Sequence, residues 1–319
     1  MDIYPWQQQA WQDLLDRKHK LPHAILVKGI EGLGKQHFAQ CFAELLLCHN
    51  ENIQACGTCS SCHLLAANNH PDLITIQPEE NSKVIKIEQI RNLITQLNQT
   101  SQGGYKIAII NQAELLNIAA SNSLLKTLEE PPNNVIIILV TSHPSALTIT
   151  IRSRCQVVTI KTPDTIVAQQ WLSEKTQDNQ QLLLALAENA PLQALKIQKE
   201  GRLLQQQECF QHLVALQNTK INTIQVAEQF LTWDLKFLLL TLIYLISDII
   251  KIKSAAENIV NQDKITELKQ LAAKTKLNQL FNYYEQLLDL QKNITKNNLN
   301  QQLAIENLII AWTQLFNVN

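Results

Sequence analysis

Four cysteines crowd into one short segment with the spacing Cys48-x7-Cys56-x2-Cys59-x2-Cys62. Two overlapping Cys-x-x-Cys steps and one more distant cysteine can wrap a tetrahedral ion with four thiolates. Zinc is the default metal for such a set, and an iron–sulfur cluster is the alternative. Gly57, Thr58, Ser60 and Ser61 are expected to supply tight turns between the ligands, and His49, His63 and His70 lie near enough to replace one cysteine. With all four positions filled by protein, no position stays open for water or substrate, so the site is expected to be structural. Cys41, Cys155 and Cys209 are scattered, and Cys41 reads as a small buried residue on the preceding helix.

A second constellation is Gly29-Ile30-Glu31-Gly32-Leu33-Gly34-Lys35-Gln36, placed after an apolar segment at His23–Lys28 and before a helical one. In a strand–loop–helix setting, glycines let backbone N–H groups converge on phosphate, and a helix N-terminus favours anions. Gly29, Gly32 and Gly34 would shape such a loop, and Lys35 stands where its lysine would reach the terminal phosphates. The next residue should carry a hydroxyl for Mg²⁺, but Gln36 carries a longer amide. A metal-holding Asp and a water-orienting Glu should follow a later strand. After Ile107–Ile110 those places hold Asn111 and Gln112, similar in shape but uncharged. Loss of a general base alone costs about 10²–10⁴ in rate. Three such changes argue against hydrolysis at this loop, while whether Lys35 and the glycines still hold a nucleotide stays open. Glu114 reads as a surface or partner residue and not as a rescuing base.

The third candidate is Ser153-Arg154-Cys155. A lone arginine in a loop is ordinarily a solvated residue or an ion-pair partner, and its neighbours decide whether it is more.

These residues need a scaffold. The first half alternates apolar strand-like runs (His23–Lys28, Leu73–Gln77, Lys106–Ile110, Val135–Thr141, Val157–Ile160) with helical spacing at Trp6–Lys18, after the glycine loop through about Leu47, Ile87–Leu97 and Ala119–Leu128. Strands alternating with helices imply a mostly parallel sheet covered on both faces. Past Thr162-Pro163-Asp164 strand signals nearly vanish. Short helices are expected at 164–175, 178–188 and 192–199, then a proline-free, Leu-, Gln- and Asn-rich helical stretch from about 203 onward.

With 27 Lys plus Arg against 28 Asp plus Glu, the chain is not a protein coated for nucleic acid along its length, and any DNA contact should be local or made through partners. The segment Met1–Trp11 is polar with Pro5 and lacks the apolar core of a secretory signal. The apolar run Phe237–Ile246 is too short for a bilayer span. A cytoplasmic protein with no membrane segment is expected, and there a cysteine cluster argues for metal over disulfides.

The chain resembles bacterial clamp-loader AAA+ subunits. The resemblance is carried by Leu21-Pro22-His23-Ala24-Ile25-Leu26, the four-cysteine module, Ile87-Glu88-Gln89-Ile90-Arg91, Asn122-Ser123-Leu124-Leu125-Lys126-Thr127-Leu128-Glu129-Glu130-Pro131-Pro132 and Ser153-Arg154-Cys155, in the family's order over most of residues 5–160. The helical remainder fits by length and class and not by motif. The family contains tau/gamma motors with complete ATPase motifs and a subunit whose ATPase motifs are decayed but whose Ser-Arg-Cys is kept. Gln36, Asn111 and Gln112 place this sequence with the latter.

The resemblance implies an α/β AAA+ P-loop NTPase-like domain (residues 1–162, with a zinc module inserted at 48–62), a small helical lid domain (163–202) and an all-α C-terminal collar domain (203–319). It implies that Arg154, flanked by Ser153 and Cys155, enters the ATP site of an adjacent tau/gamma subunit as an arginine finger. It further implies a hetero-pentamer with tau/gamma and delta subunits that loads a sliding clamp onto primed DNA. Two other readings compete: an autonomous AAA+ motor, kept open by Gly34-Lys35, and a zinc-dependent nucleic-acid-binding module, which the neutral charge opposes.

Overall fold

The computed structural model describes residues 2–50, 53–79, 82–101, 104–217, 222–293 and 300–316. The described residues fall into two compact units, Met1–Val167 and Ala168–Asn319.

The first unit is built on five strands: β1 (Ala24–Lys28), β2 (Leu73–Ile76), β3 (Lys106–Ile110), β4 (Val135–Thr141) and β5 (Gln156–Thr159). They form one parallel sheet in the order β2-β3-β4-β1-β5. Every residue of β3 and β4 is buried. An uninterrupted β-branched run needs cover on both faces, and the structure supplies it. Its helices are α1 (Gln8–Leu15), α2 (Lys35–Leu47), α3 (Ser60–Ala66), α4 (Ile87–Leu97), α5 (Ile118–Glu129) and α6 (Ile149–Arg152).

On one face, Ala24, Leu26, Ala108, Ile110, Ile137 and Leu139 pack with Ile90 and Leu93 of α4 and Leu124 and Leu128 of α5. On the other, α2 packs across β1, β3 and β4. Its Phe38 and Phe42 meet the Trp11 ring edge-on at 5.6 and 5.9 Å. Parallel strands bring the C-terminal ends of β1, β3 and β4 to one edge, the edge where α/β proteins place ligands.

One local expectation changes. Ser60 and Ser61 are not turn residues: they open α3, whose N-cap is Cys59. The segment before Ser153 is helical, because Thr148 caps α6 through its side chain.

The second unit is helical among the described residues. After α7 (Thr165–Ser173), where the division between units falls, come α8 (Gln180–Leu186), α9 (Pro191–Lys199), α10 (Arg202–Gln217), α11 (Thr223–Phe230), α12 (Leu235–Lys253), α13 (Ile265–Lys274), α14 (Leu277–Asn293) and α15 (Gln301–Phe316). The long apolar helix α12 is buried along most of its length. An apolar surface on all sides suits a helix at the centre of a bundle, and α10, α13 and α14 pack around α12. Trp312 is fully buried there and donates its indole N–H to Leu213 O at 3.1 Å. Asp248, also fully buried, accepts from the backbone N–H groups of Val260 and Asn261 at 3.0 and 2.8 Å, which satisfies a charge that would otherwise be costly to bury. Among the described residues no helix is long and apolar enough to cross a membrane.

Candidate functional site

The candidate phosphate loop joins β1 to α2, and its shape depends on its glycines. Gly34 is the N-cap of α2, with φ 74°. A side chain costs roughly 1–2 kcal/mol in that left-handed region, and a Cβ here would also sit 2.6 Å from Tyr4 Cε2. A Cβ on Gly29 would meet Ile160 O at 2.6 Å, so the loop's first glycine permits close approach to the chain leaving β5.

The N-terminal segment grips the loop from behind. Gln7 Nε2 donates to Leu33 O and Gly34 O at 2.8 and 3.0 Å, and Trp6 Nε1 donates to Leu33 O at 3.0 Å. Lys35 is buried. Its ammonium donates to Ile30 O at 2.7 Å and to Ser142 Oγ at 2.9 Å. Burial lowers its pKa, partly offset by Glu114 and Glu31.

A cavity of about 180 Å³ opens beside the loop, lined by Gly32, Gly34, Lys35, Gln36, Asn111, Gln112, Glu114, Val140, Thr141 and Ser142. The structure thus brings Gln36, Asn111 and Gln112 together in the wall of one cavity. Asn111 is buried, and neither atom of its amide has a protein hydrogen-bond partner. Gln112 lies in the left-handed region with φ 50°. Glu114 is not a surface residue: it is half-buried in the cavity wall, where Oε1 accepts from the Ser142 N–H at 3.2 Å.

Ser142 was not singled out from the sequence. Its signal is positional, since it follows the apolar run of β4 as Asn111 follows that of β3. The cavity offers N–H donors and one buried cation. At positions 36, 111 and 112 it offers amides, and Mg²⁺ takes its protein ligands mainly from carboxylates.

Arg154 lies elsewhere in the same unit, just beyond α6, and is absent from that cavity's lining. Its side chain is one-third exposed. Nη1 donates to Thr150 O at 2.9 Å, and Nη2 pairs with the carboxylate of Glu129 in the last turn of α5. Ser153 Oγ donates to Thr150 O at 3.1 Å. Cys155 packs against the core, and burial pushes its thiol up to about 11. The flanking residues anchor the turn and leave the guanidinium at the surface.

The four cysteines converge. Their sulfurs all lie within 4.8 Å of one another, with Cys48–Cys59 at 4.0 Å and Cys56–Cys62 at 3.9 Å. Four thiolates about 2.3 Å from a tetrahedral ion would be about 3.8 Å apart, so the set fits. Backbone N–H groups support the sulfurs: Cys56 N donates to Cys48 Sγ at 3.3 Å, Cys59 N to Cys56 Sγ at 3.4 Å, and Cys62 N to Cys59 Sγ at 3.4 Å. Hydrogen bonds from the Thr58 hydroxyl and backbone pull Cys56 down to about 5. Burial pushes Cys62 up to about 12.

Among the described residues no histidine joins the group. Both ring nitrogens of His70 are engaged: Nε2 lies 3.0 Å from Ser61 Oγ, and Nδ1 accepts from Asp72 N at 3.1 Å. Cys41 is buried on α2, as its isolation in the sequence implies. The four cysteines are therefore a set that could hold a metal ion.

Residues 6–164 match the family model described as DNA polymerase III, delta subunit, and residues 200–314 match that described as DNA polymerase III, delta subunit, C terminal. DNA polymerase III subunit delta′ of Pseudomonas aeruginosa is 33% identical, with 98% of each chain covered. Its counterpart of Yersinia pestis is 30% identical over 98% of this chain and 96% of that one. DNA polymerase III subunit tau/gamma of Haemophilus influenzae is 33% identical over 54% of this chain and 27% of its own length. Full-length similarity to the first two, with the tau/gamma likeness confined to part of the chain, decides between branches: the chain belongs to the DNA polymerase III subunit delta′ family.

Proposed function

We propose that this chain is the non-hydrolysing subunit of a clamp loader, completing the ATP site of an adjacent tau/gamma motor with Arg154 while its own phosphate loop is inert. The observation that carries the reading is the contrast between the two sites. Gln36, Asn111 and Gln112 put amides where magnesium chemistry needs oxygen anions or a hydroxyl. Arg154 keeps a charged guanidinium at the surface. An arginine finger supplied in trans stabilises charge on the transferring phosphoryl group and is worth about 10³–10⁵ in rate. Lys35 already donates to Ile30 O and Ser142 Oγ, which favours a loop that holds no nucleotide.

In this reading the subunit works in a hetero-pentamer with tau/gamma and delta subunits, in the cytoplasm, and supports ATP-dependent loading of the sliding clamp onto primed DNA. Zn²⁺ on Cys48, Cys56, Cys59 and Cys62 would cross-link the connection between α2 and β2 and take no part in catalysis. The division of labour follows the chain: residues 1–162 carry the loop and the finger, 163–202 form a lid, and 203–319 form the collar that joins the subunits.

The test is ATP hydrolysis by a complex reconstituted with its motor subunits and Arg154→Ala in this chain. Turnover at the completed site should fall by about 10³-fold or more. Undiminished turnover would remove the finger role.

A further inference from the structure

The ion pair between Arg154 and Glu129 bears on how a finger is kept out of use. Glu129 ends α5, and its chain neighbours are anchored. His23 Nε2 lies 2.8 Å from the carbonyl oxygen of its neighbour Leu128. The Glu130 N–H donates to Lys126 O at 2.9 Å, and Pro131-Pro132 stop the helix. The arginine, by contrast, is a long side chain on a surface turn. Two of its five N–H donors are committed, one to Thr150 O and one to the Glu129 carboxylate.

With side chains one-third and one-half exposed, the pair adds little to the stability of the fold. Its electrostatic consequence is larger. A carboxylate beside the guanidinium cancels much of the field that a neighbouring phosphate would feel, and it repels that phosphate directly. Arginine in contact with Glu129 is thus compensated, and it must exchange the carboxylate for the phosphate to act.

We propose that Glu129 is a positioning residue that restrains Arg154, holding the finger folded back and charge-compensated until the adjoining site contains nucleotide. The inference rests on the reading of Arg154 as a finger in trans. Going from free complex and ATP to the transition state then includes breaking the Arg154–Glu129 pair, and kcat/KM measures that whole span. Removing the charge on Glu129 while keeping its shape should therefore raise kcat/KM for ATP. An exposed pair of this kind corresponds to about a twofold to fivefold change.

The experiment is steady-state ATP hydrolysis by the reconstituted complex carrying Glu129→Gln, Arg154→Ala or both. The expected result is a twofold to fivefold rise in kcat/KM for Glu129→Gln, and no rise when Arg154→Ala is also present. A kcat/KM that is unchanged or lowered by Glu129→Gln, while Arg154→Ala alone still slows hydrolysis, would overturn the restraint and leave the finger standing. A rise that persists in the double variant would show that Glu129 acts through another group, which also overturns it. If Arg154→Ala alone has no effect, the finger itself fails and the restraint fails with it.

Discussion

The phosphate loop and the Arg154 turn belong to the same α/β unit, yet their polar groups face opposite ways. Around the loop, polar groups are turned inward. Lys35 is buried and bonded to Ile30 O and Ser142 Oγ, and the carbonyl oxygens of Leu33 and Gly34 are held by Trp6 and Gln7. At the turn, Ser153 and Cys155 anchor the backbone while Arg154 stays one-third exposed on a single carboxylate and a carbonyl oxygen. A polar group fully engaged within its own chain works as structure. A permanently charged group on a weak, exchangeable partner is available to another molecule. The contrast shows a strand–loop–helix kept as packing beside a surface guanidinium, the arrangement expected if, as proposed, catalysis at the loop is lost and the chemistry is supplied by Arg154.

The largest expected effect sharpens the surface half of that contrast. Arg154→Lys in the reconstituted complex keeps the charge but loses the planar fork. Its hydrolysis rate should remain at least about 10²-fold below wild type, and near-normal turnover would mean that charge alone suffices.

Next is the cysteine cluster, a third region to which the proposed reading gives a structural role. Changing groups that merely support metal ligands costs about 10–100-fold in affinity, so Cys59→Ser, which in the proposed reading removes a ligand, should cost more than 100-fold. Metal content after dialysis and the unfolding temperature with and without chelator would check this. Chelation should lower the wild-type unfolding temperature and leave that of Cys59→Ser unchanged.

The smallest effect on turnover is expected at the loop, whose proposed role is packing. Gly34→Ala forces a side chain into the left-handed region and against Tyr4, and should cost about 2–4 kcal/mol of stability. Chemical denaturation would measure it. In complexes that assemble, ATP turnover should match wild type, because in the proposed reading the loop does not serve the motor's site.

Much of this was legible in the sequence because the relevant signals are local. The runs Ile107–Ile110 and Val135–Thr141 are strands since β-branched residues without polar alternation need burial on both faces. The Cys-x-x-Cys steps bring sulfurs together over short loops, where spacing alone fixes reach. What escaped was set by distant packing. Ser60 and Ser61 looked like turn formers, but they open a helix whose N-cap, Cys59, accepts from the Cys62 N–H. Glu114 looked exposed, but the end of β4 lies against it and offers the Ser142 N–H. Gln7 reaches the loop from 26 residues away, and Glu129 meets Arg154 across a separation of 25. No periodicity or motif encodes such pairs, since they exist only once the sheet order is set.

In the proposed reading the pocket beside Lys35 cannot complete a hydrolytic cycle. Steady-state ATP hydrolysis by the purified chain alone, with Mg²⁺ and without any motor subunit, tests it most directly. The predicted result is turnover indistinguishable from a protein-free control. Sustained hydrolysis that co-purifies with the chain and disappears in Lys35→Ala would contradict it.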